Sequence, residues 1–201
     1  MKMSLFAFIV SGLIGFQAST AVSAEAPANL KETEASFRAK VIHDVQYDLR
    51  LELDTTPQSF KGVLTTTFTL EKPTDGLFLD FKDGRIETLN INGTSIKGAT
   101  VKNHRISMPK AKLVQGRNSV VVSYSQSYSK NGTGLYRFQD PEDKAIYLYT
   151  QFEAFEANHL FPCFDQPDLK ANYVLQVTAP SEWTVISTSQ ESTVTTKDTK
   201  K

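Results

Sequence analysis

Between Thr150 and Ala171 the chain reads TQFEAFEANHLFPCFDQPDLKA, and its chemically capable side chains crowd there. Four acids, a histidine and the only cysteine share these 22 residues with four phenylalanines and two prolines. Gln151 and Glu153 close a β-patterned run, AIYLYTQF, with Phe152 between them. In a strand, residues two apart share a face, so the amide and the carboxylate point one way and Phe152 the other. Two polar groups offered together at the end of a rigid element can contact a ligand. The plain alternative is a solvated rim.

Other chemistries find less support. The histidines, His43, His104 and His159, belong to no H-E-x-x-H pattern. His159 and Cys163 are four apart, but Pro162 disfavours the helix that would bring both to one ion, and two ligands do not close a zinc site. No metal site is therefore expected in this chain. No G-x-S-x-G elbow is present for a serine nucleophile. The glycines of NGTGLYR (Asn131–Arg137) precede neither a Lys-Ser/Thr pair nor a helix, which favours a tight turn over a phosphate cradle. Asn92-Gly93-Thr94 and Asn131-Gly132-Thr133 also fit the glycosylation sequon, but Asn-Gly turn chemistry explains them.

Composition narrows the partners. Lysine plus arginine and aspartate plus glutamate balance at 22 each, without the basic excess that nucleic acid demands. Residues 1–24 read as a signal peptide, with Lys2, an apolar run from Leu5 to Phe16, and small residues Val22-Ser23-Ala24 at the end. The run is shorter than the roughly 20 residues a spanning helix needs, so no stable membrane span is expected after cleavage. An exported protein, periplasmic or secreted, is the expectation. In an oxidising compartment a lone Cys163 makes no internal bridge, and its apolar neighbours favour a buried hydrophobe over a reactive thiol.

The elements that must hold Gln151 and Glu153 are strands. After a polar leader at 25–40, a short helix or a loose arm, VQYDLRLEL alternates strictly between apolar and polar. FKGVLTTTFTL comes after a turn at Thr55-Thr56-Pro57; then come GLFLDFK, IETLNI and the hairpin signal Asn92-Gly93. Arg105–Met108, Ser119–Tyr128, Ala145–Phe152, Tyr173–Thr178 and Trp183–Thr188 complete about ten short strands. An all-β protein of packed, mainly antiparallel sheets is expected. The tail SQESTVTTKDTKK reads as an exposed strand entering a turn without its partner.

YLYTQFEAFEANHLFPCFDQPDLKANY resembles the segment that closes the amino-terminal β domain of the zinc aminopeptidase N family. NGTGLYRFQDPEDKAIYLYTQFE is similar to that family's approach to the same strand, and VIHDVQYDLRLEL to its first strand. The resemblance covers about Val41 to Thr188. It implies a domain at 41–201, truncated at its C-terminal end, in an exported enzyme that removes single residues from peptide amino termini. By that resemblance Glu153 helps hold the substrate α-amine and Gln151 lines the pocket of the first side chain. A carboxylate supplies a charge-assisted hydrogen bond to that amine and discriminates against blocked or internal peptides. Zinc, its H-E-x-x-H ligands and the catalytic residues are implied for a downstream catalytic domain, the partner of this one; none is expected here. Pro162, Cys163, Asp165 and Pro167 would form a structural corner whose aromatics fill a seam toward a neighbouring domain, with Asp165 capping the turn or pairing across the seam. Gln166 departs from the family's frequent Glu, and Phe155, Glu156, Asn158 and His159 occupy a variable turn. The alternative is an exported, non-catalytic β-domain that binds peptide or glycan.

Overall fold

The period-two pattern of the longest runs becomes a sheet with one dry face. A computed structural model describes residues 29–54, 58–197 and 199–201. Residues 1–24, read above as a signal peptide, the first residues of the leader and the turn expected at Thr55-Thr56-Pro57 lie outside the described residues. In β1 (Ile42–Glu52) Val45, Tyr47, Leu49 and Leu51 are buried while Gln46, Arg50 and Glu52 are exposed. In β2 (Ser59–Leu70) and β7 (Gly116–Ser127) the same alternation buries Phe60, Leu64 and Phe68, and Val120, Val122 and Tyr124.

These strands join β4 (Arg85–Ile91), β5 (Thr94–Ser95) and β10 (Ala171–Thr178) in a six-stranded sheet of order β10-β1-β2-β7-β4-β5. Every pairing in it is antiparallel except β1 with β10, which are parallel from Val45↔Ala171 to Glu52↔Thr178. At the β4–β5 turn, Asn92 (φ 50°) and Gly93 (φ 77°) both take the positive φ that a tight two-residue hairpin requires.

A two-stranded pair, β3 (Phe78–Asp80) with β6 (Arg105–Ser107), contributes to the buried core, and a second ribbon joins β8 (Gly134–Gln139) to β9 (Ile146–Gln151). The all-β, mainly antiparallel expectation holds. The sequence pattern marks NGTGLYR as a turn alone; its second half is β8, paired with β9 from Gly134↔Gln151 to Gln139↔Ile146.

At the two ends the outcome differs: the leader takes the helical one of its two expected forms, and the last expected strand does not form. The leader forms a ten-residue helix, α1 (Glu32–Val41), whose start is braced by the Lys31 N–H donating to Glu34 Oε2 at 2.9 Å. Trp183–Thr188 forms no strand, and the described residues of the tail after it make only isolated bridges. Ile186 is 87% exposed there, so its alternation has no partner face to bury against. The chain instead returns to Ala179, which exchanges backbone hydrogen bonds with Lys201 at 2.8 and 2.9 Å.

Candidate functional site

β9 delivers Gln151 as its last residue, and Glu153 lies beyond it, in a turn that leads into one 3-10 turn at Ala157–His159. Strand alternation therefore does not aim Glu153, although both residues are exposed and Phe152, half-buried, packs on the core. Gln151 folds back on its own tail: its Oε1 accepts from the N–H of Phe152 at 2.9 Å and of Glu153 at 3.4 Å. Among the described residues the Glu153 carboxylate has no hydrogen-bond or ion-pair partner, so it is open to a ligand.

The segment after Glu153 is fastened to the sheet by buried side chains. Tyr124 Oη donates to Leu160 O at 2.9 Å, and Gln126 Nε2 donates to Lys82 O at 2.6 Å and His159 O at 3.3 Å. Tyr47 Oη accepts the Phe164 N–H at 2.9 Å. Burial pushes both phenols up, so they remain neutral and serve only as hydrogen-bonding posts. Gly62 leaves the space that the Tyr124 ring occupies, since a Cβ there would fall inside that ring's contact distance.

The corner differs from its sequence reading. Phe161, Pro162, Cys163 and Phe164 are all buried, and they face this domain's own sheet rather than a seam to another domain. Phe161 packs edge-on to Tyr47 at 5.5 Å and Phe164 edge-on to Phe68 at 5.4 Å. Cys163 exchanges backbone hydrogen bonds with Asp80 at 2.8 and 3.0 Å, an added bridge on the edge of β3 that draws the corner inward. Pro167 is exposed where the chain leaves for β10. Asp165 caps the turn: its Oδ2 accepts from Asn158 N at 3.0 Å and Asn158 Nδ2 at 2.7 Å. Burial pushes the Cys163 thiol well above its ordinary range, which leaves it a thiol and poorly nucleophilic.

Sequence reasoning missed the polar node beneath this corner. Arg38 of α1 is fully buried, with Nη1 2.7 Å from Asp80 Oδ2 and Nε donating to Gln166 Oε1 at 2.6 Å. Its guanidinium carbon lies 4.7 Å from the centre of the Phe78 ring. Burial pushes the Asp80 carboxyl up while Arg38 opposes that pull. No local signal distinguishes Arg38 from the solvated charges of the leader, because its partners are 42 and 128 residues away.

The histidines meet different carboxylates: His43 is 3.6 Å from Glu71, His104 is 3.7 Å from Asp83, and His159 is 3.0 Å from Glu156. No group of three or more potential ligands assembles among the described residues. The donor set here therefore does not fit zinc, which takes three or four protein ligands.

With this geometry in hand, comparison with known proteins decides the family. Residues 43–201 match the Peptidase M1 N-terminal domain. The chain belongs to the M1 aminopeptidase family. It is 37% identical to aminopeptidase N of Streptomyces lividans over 164 residues, which are 80% of this chain and 19% of that protein. Aminopeptidase N of Acetobacter pasteurianus is 27% identical over 156 residues, 74% of this chain and 43% of that protein. The fold is similar to that of an M1 zinc metallopeptidase from Deinococcus radiodurans solved with a Tyr-Ser-Ala substrate. That match has a TM-score of 0.59 and 19% identity, and it covers 80% of this chain and 38% of the other. The M1 chain described here thus spans the amino-terminal portion of its relatives, less than half of their length.

Proposed function

We propose that this M1 domain receives the free amino terminus of peptides for an exported zinc-dependent aminopeptidase. Glu153 holds the substrate α-amine through a charge-assisted hydrogen bond, and Gln151 lines the site of the first side chain. Zinc and the residues that use it belong to the portion of the protein that relatives carry beyond the matched length. The observation that carries this reading is the exposed, unpaired Glu153 carboxylate on a loop whose later residues are pinned to the core. A carboxylate that must meet a small cation gains from such fastening, because orientation is settled before binding.

The test is Glu153→Gln in the full-length enzyme, with Glu142→Ala as control. Glu142 is an exposed acid in the β8–β9 turn, whereas Glu156 contacts His159 and is unsuited to that use. A charge-assisted hydrogen bond is worth roughly 1.5–3 kcal/mol, so kcat/KM should fall about 10- to 150-fold for Glu153→Gln. Equal, mild effects of both variants in folded protein return Glu153 to the rim.

One observation favours a second reading, a β-domain that only binds peptide or glycan. Tyr136 pairs with Tyr149, and Phe138 with Tyr147, across the β8–β9 ribbon, at ring separations of 4.9 and 6.4 Å, and Phe138, Tyr147 and Tyr149 are exposed. Such a ladder offers flat apolar faces to a ligand. Tyr149→Ala that abolishes glycan or peptide binding, in protein without peptidase activity, would select it.

A further inference from the structure

A buried ion pair is weak ground for stability, because the desolvation of two charges offsets most of their attraction. Arg38–Asp80 is such a pair, with side chains 1% and 5% exposed, and it calls for another explanation. Its connections supply one. The Asp80 Oδ2 that meets Arg38 also accepts the Asp165 N–H at 3.1 Å. Asp165 Oδ2 in turn holds Asn158 by two hydrogen bonds, and Asn158 Nδ2 reaches Phe155 O at 3.3 Å. Asn158 is itself 1% exposed, and its carbonyl accepts the Lys82 N–H at 3.1 Å. An unbroken line of polar contacts thus runs from α1 to a residue two positions after Glu153.

We infer that Arg38 is a positioning residue which, through Asp80, Asp165 and Asn158, holds the Glu153–Asn158 loop in the pose that receives the substrate amine. The part concerning the amine rests on the function proposed above. The node needs a cation: it links two carboxylates, Asp80 accepting the Asp165 N–H while Asp165 holds Asn158, and Arg38 is the buried positive charge on Asp80. It also needs a planar, forked cation, since Nη1 serves Asp80 while Nε serves Gln166. Gln166 Nε2 donates to Ala35 O at 3.0 Å, so the corner grips α1 a second time. One turn earlier on the same face, α1 is held by Arg105, whose two Nη atoms donate to Glu34 at 2.7 and 2.8 Å while its guanidinium stacks on Phe78 at 4.1 Å. α1, at Glu32–Val41, precedes the residues matched to the family, 43–201. The element that sets the loop therefore lies outside the residues matched to the family.

The experiment uses the full-length enzyme with Arg38→Met, Arg38→Lys, Glu153→Gln and the Arg38→Met/Glu153→Gln double variant. Backbone amide exchange over residues 152–160 and the separate kcat and KM for an aminoacyl anilide are the readouts. In Arg38→Met the Asn158 region should exchange faster, and KM should rise about two- to thirtyfold, the range of couplings carried by such networks, with a smaller change in kcat. Arg38→Lys should recover part of both, since it restores the charge and not the fork. In the Glu153→Gln background, Arg38→Met should raise KM no further. Unchanged exchange in folded Arg38→Met overturns the inference, as does the same KM penalty in both backgrounds. Should Arg38→Met fail to fold, Asn158→Asp cuts the line at its middle while leaving Arg38 in place, and the same two readouts decide. If Glu153→Gln alone leaves kcat/KM unaltered, the amine-binding role is overturned, and amide exchange still decides whether Arg38 holds the loop.

Discussion

Gly62→Ala is the smallest change that should loosen the candidate site from a distance. Gly62 lies in β2 opposite Tyr124 of β7, and an added Cβ would overlap the Tyr124 ring carbons and hydroxyl. The ring is buried and edge-packed on Phe81 at 5.1 Å, so it has little room to retreat. Overpacking of a filled core costs about 1–3 kcal/mol. Displacing the ring also breaks the hydrogen bond from Tyr124 Oη to Leu160 O, which adds about 1 kcal/mol. Against these stands a gain of about 0.5–1 kcal/mol from replacing a strand glycine. The net expectation is a loss of about 1–3 kcal/mol, from these ranges. It can be read from urea unfolding monitored by far-ultraviolet circular dichroism, together with faster amide exchange around Leu160. The decisive control is Gly62→Ala in a Tyr124→Ala background, where the obstacle is gone and the penalty should vanish or change sign. An unaltered unfolding midpoint, or the same penalty in both backgrounds, would refute the reasoning.

Gln166→Glu should destabilise this chain by about 1–3 kcal/mol at neutral pH. Gln166 Nε2 donates to Ala35 O and to Asp168 Oδ1 at 2.7 Å, and a carboxylate would face both acceptors; a melting temperature equal to the parent's would contradict this. His159 should make stability depend on pH: burial, then Lys82, holds its pKa below 6.5, so the unfolded chain binds the proton first. Stability is then full above pH 6.5 and declines as pH falls from there toward the lower folded value, and His159→Gln should flatten that slope in unfolding midpoints measured across it. β10 is an edge strand of the sheet among the described residues and exposes Tyr173 and Val174, so Val174→Lys should reduce self-association of this chain at high concentration, as judged by sedimentation velocity.

The strands of this domain could be read residue by residue because alternation is a local code: each side chain's direction is fixed by its neighbour's. β1, β2, β4 and β7 carried that code, and Asn92-Gly93 carried the turn. It failed at Trp183–Thr188, since a pattern fit for a strand still needs another backbone to pair with. At the site, Gln151 and Glu153 were legible as residue types near a strand end. The strand's stopping point at Gln151, and the loop that carries Glu153 onward, were not. Asp165 as a cap and Cys163 as a buried hydrophobe were legible in local composition, yet the direction in which their corner faces was not.

What only the tertiary structure decided was everything that joins distant segments. The parallel pairing of β1 with β10, the inward packing of Phe161 and Phe164, and the burial of Arg38 against Asp80 and Gln166 all connect residues far apart in the chain. An arginine in a polar leader has the same local pattern whether it lies in water or beneath a core. Its burial is settled by a carboxylate and an amide arriving from other elements to compensate the desolvated charge, and no window of sequence around Arg38 contains either of them.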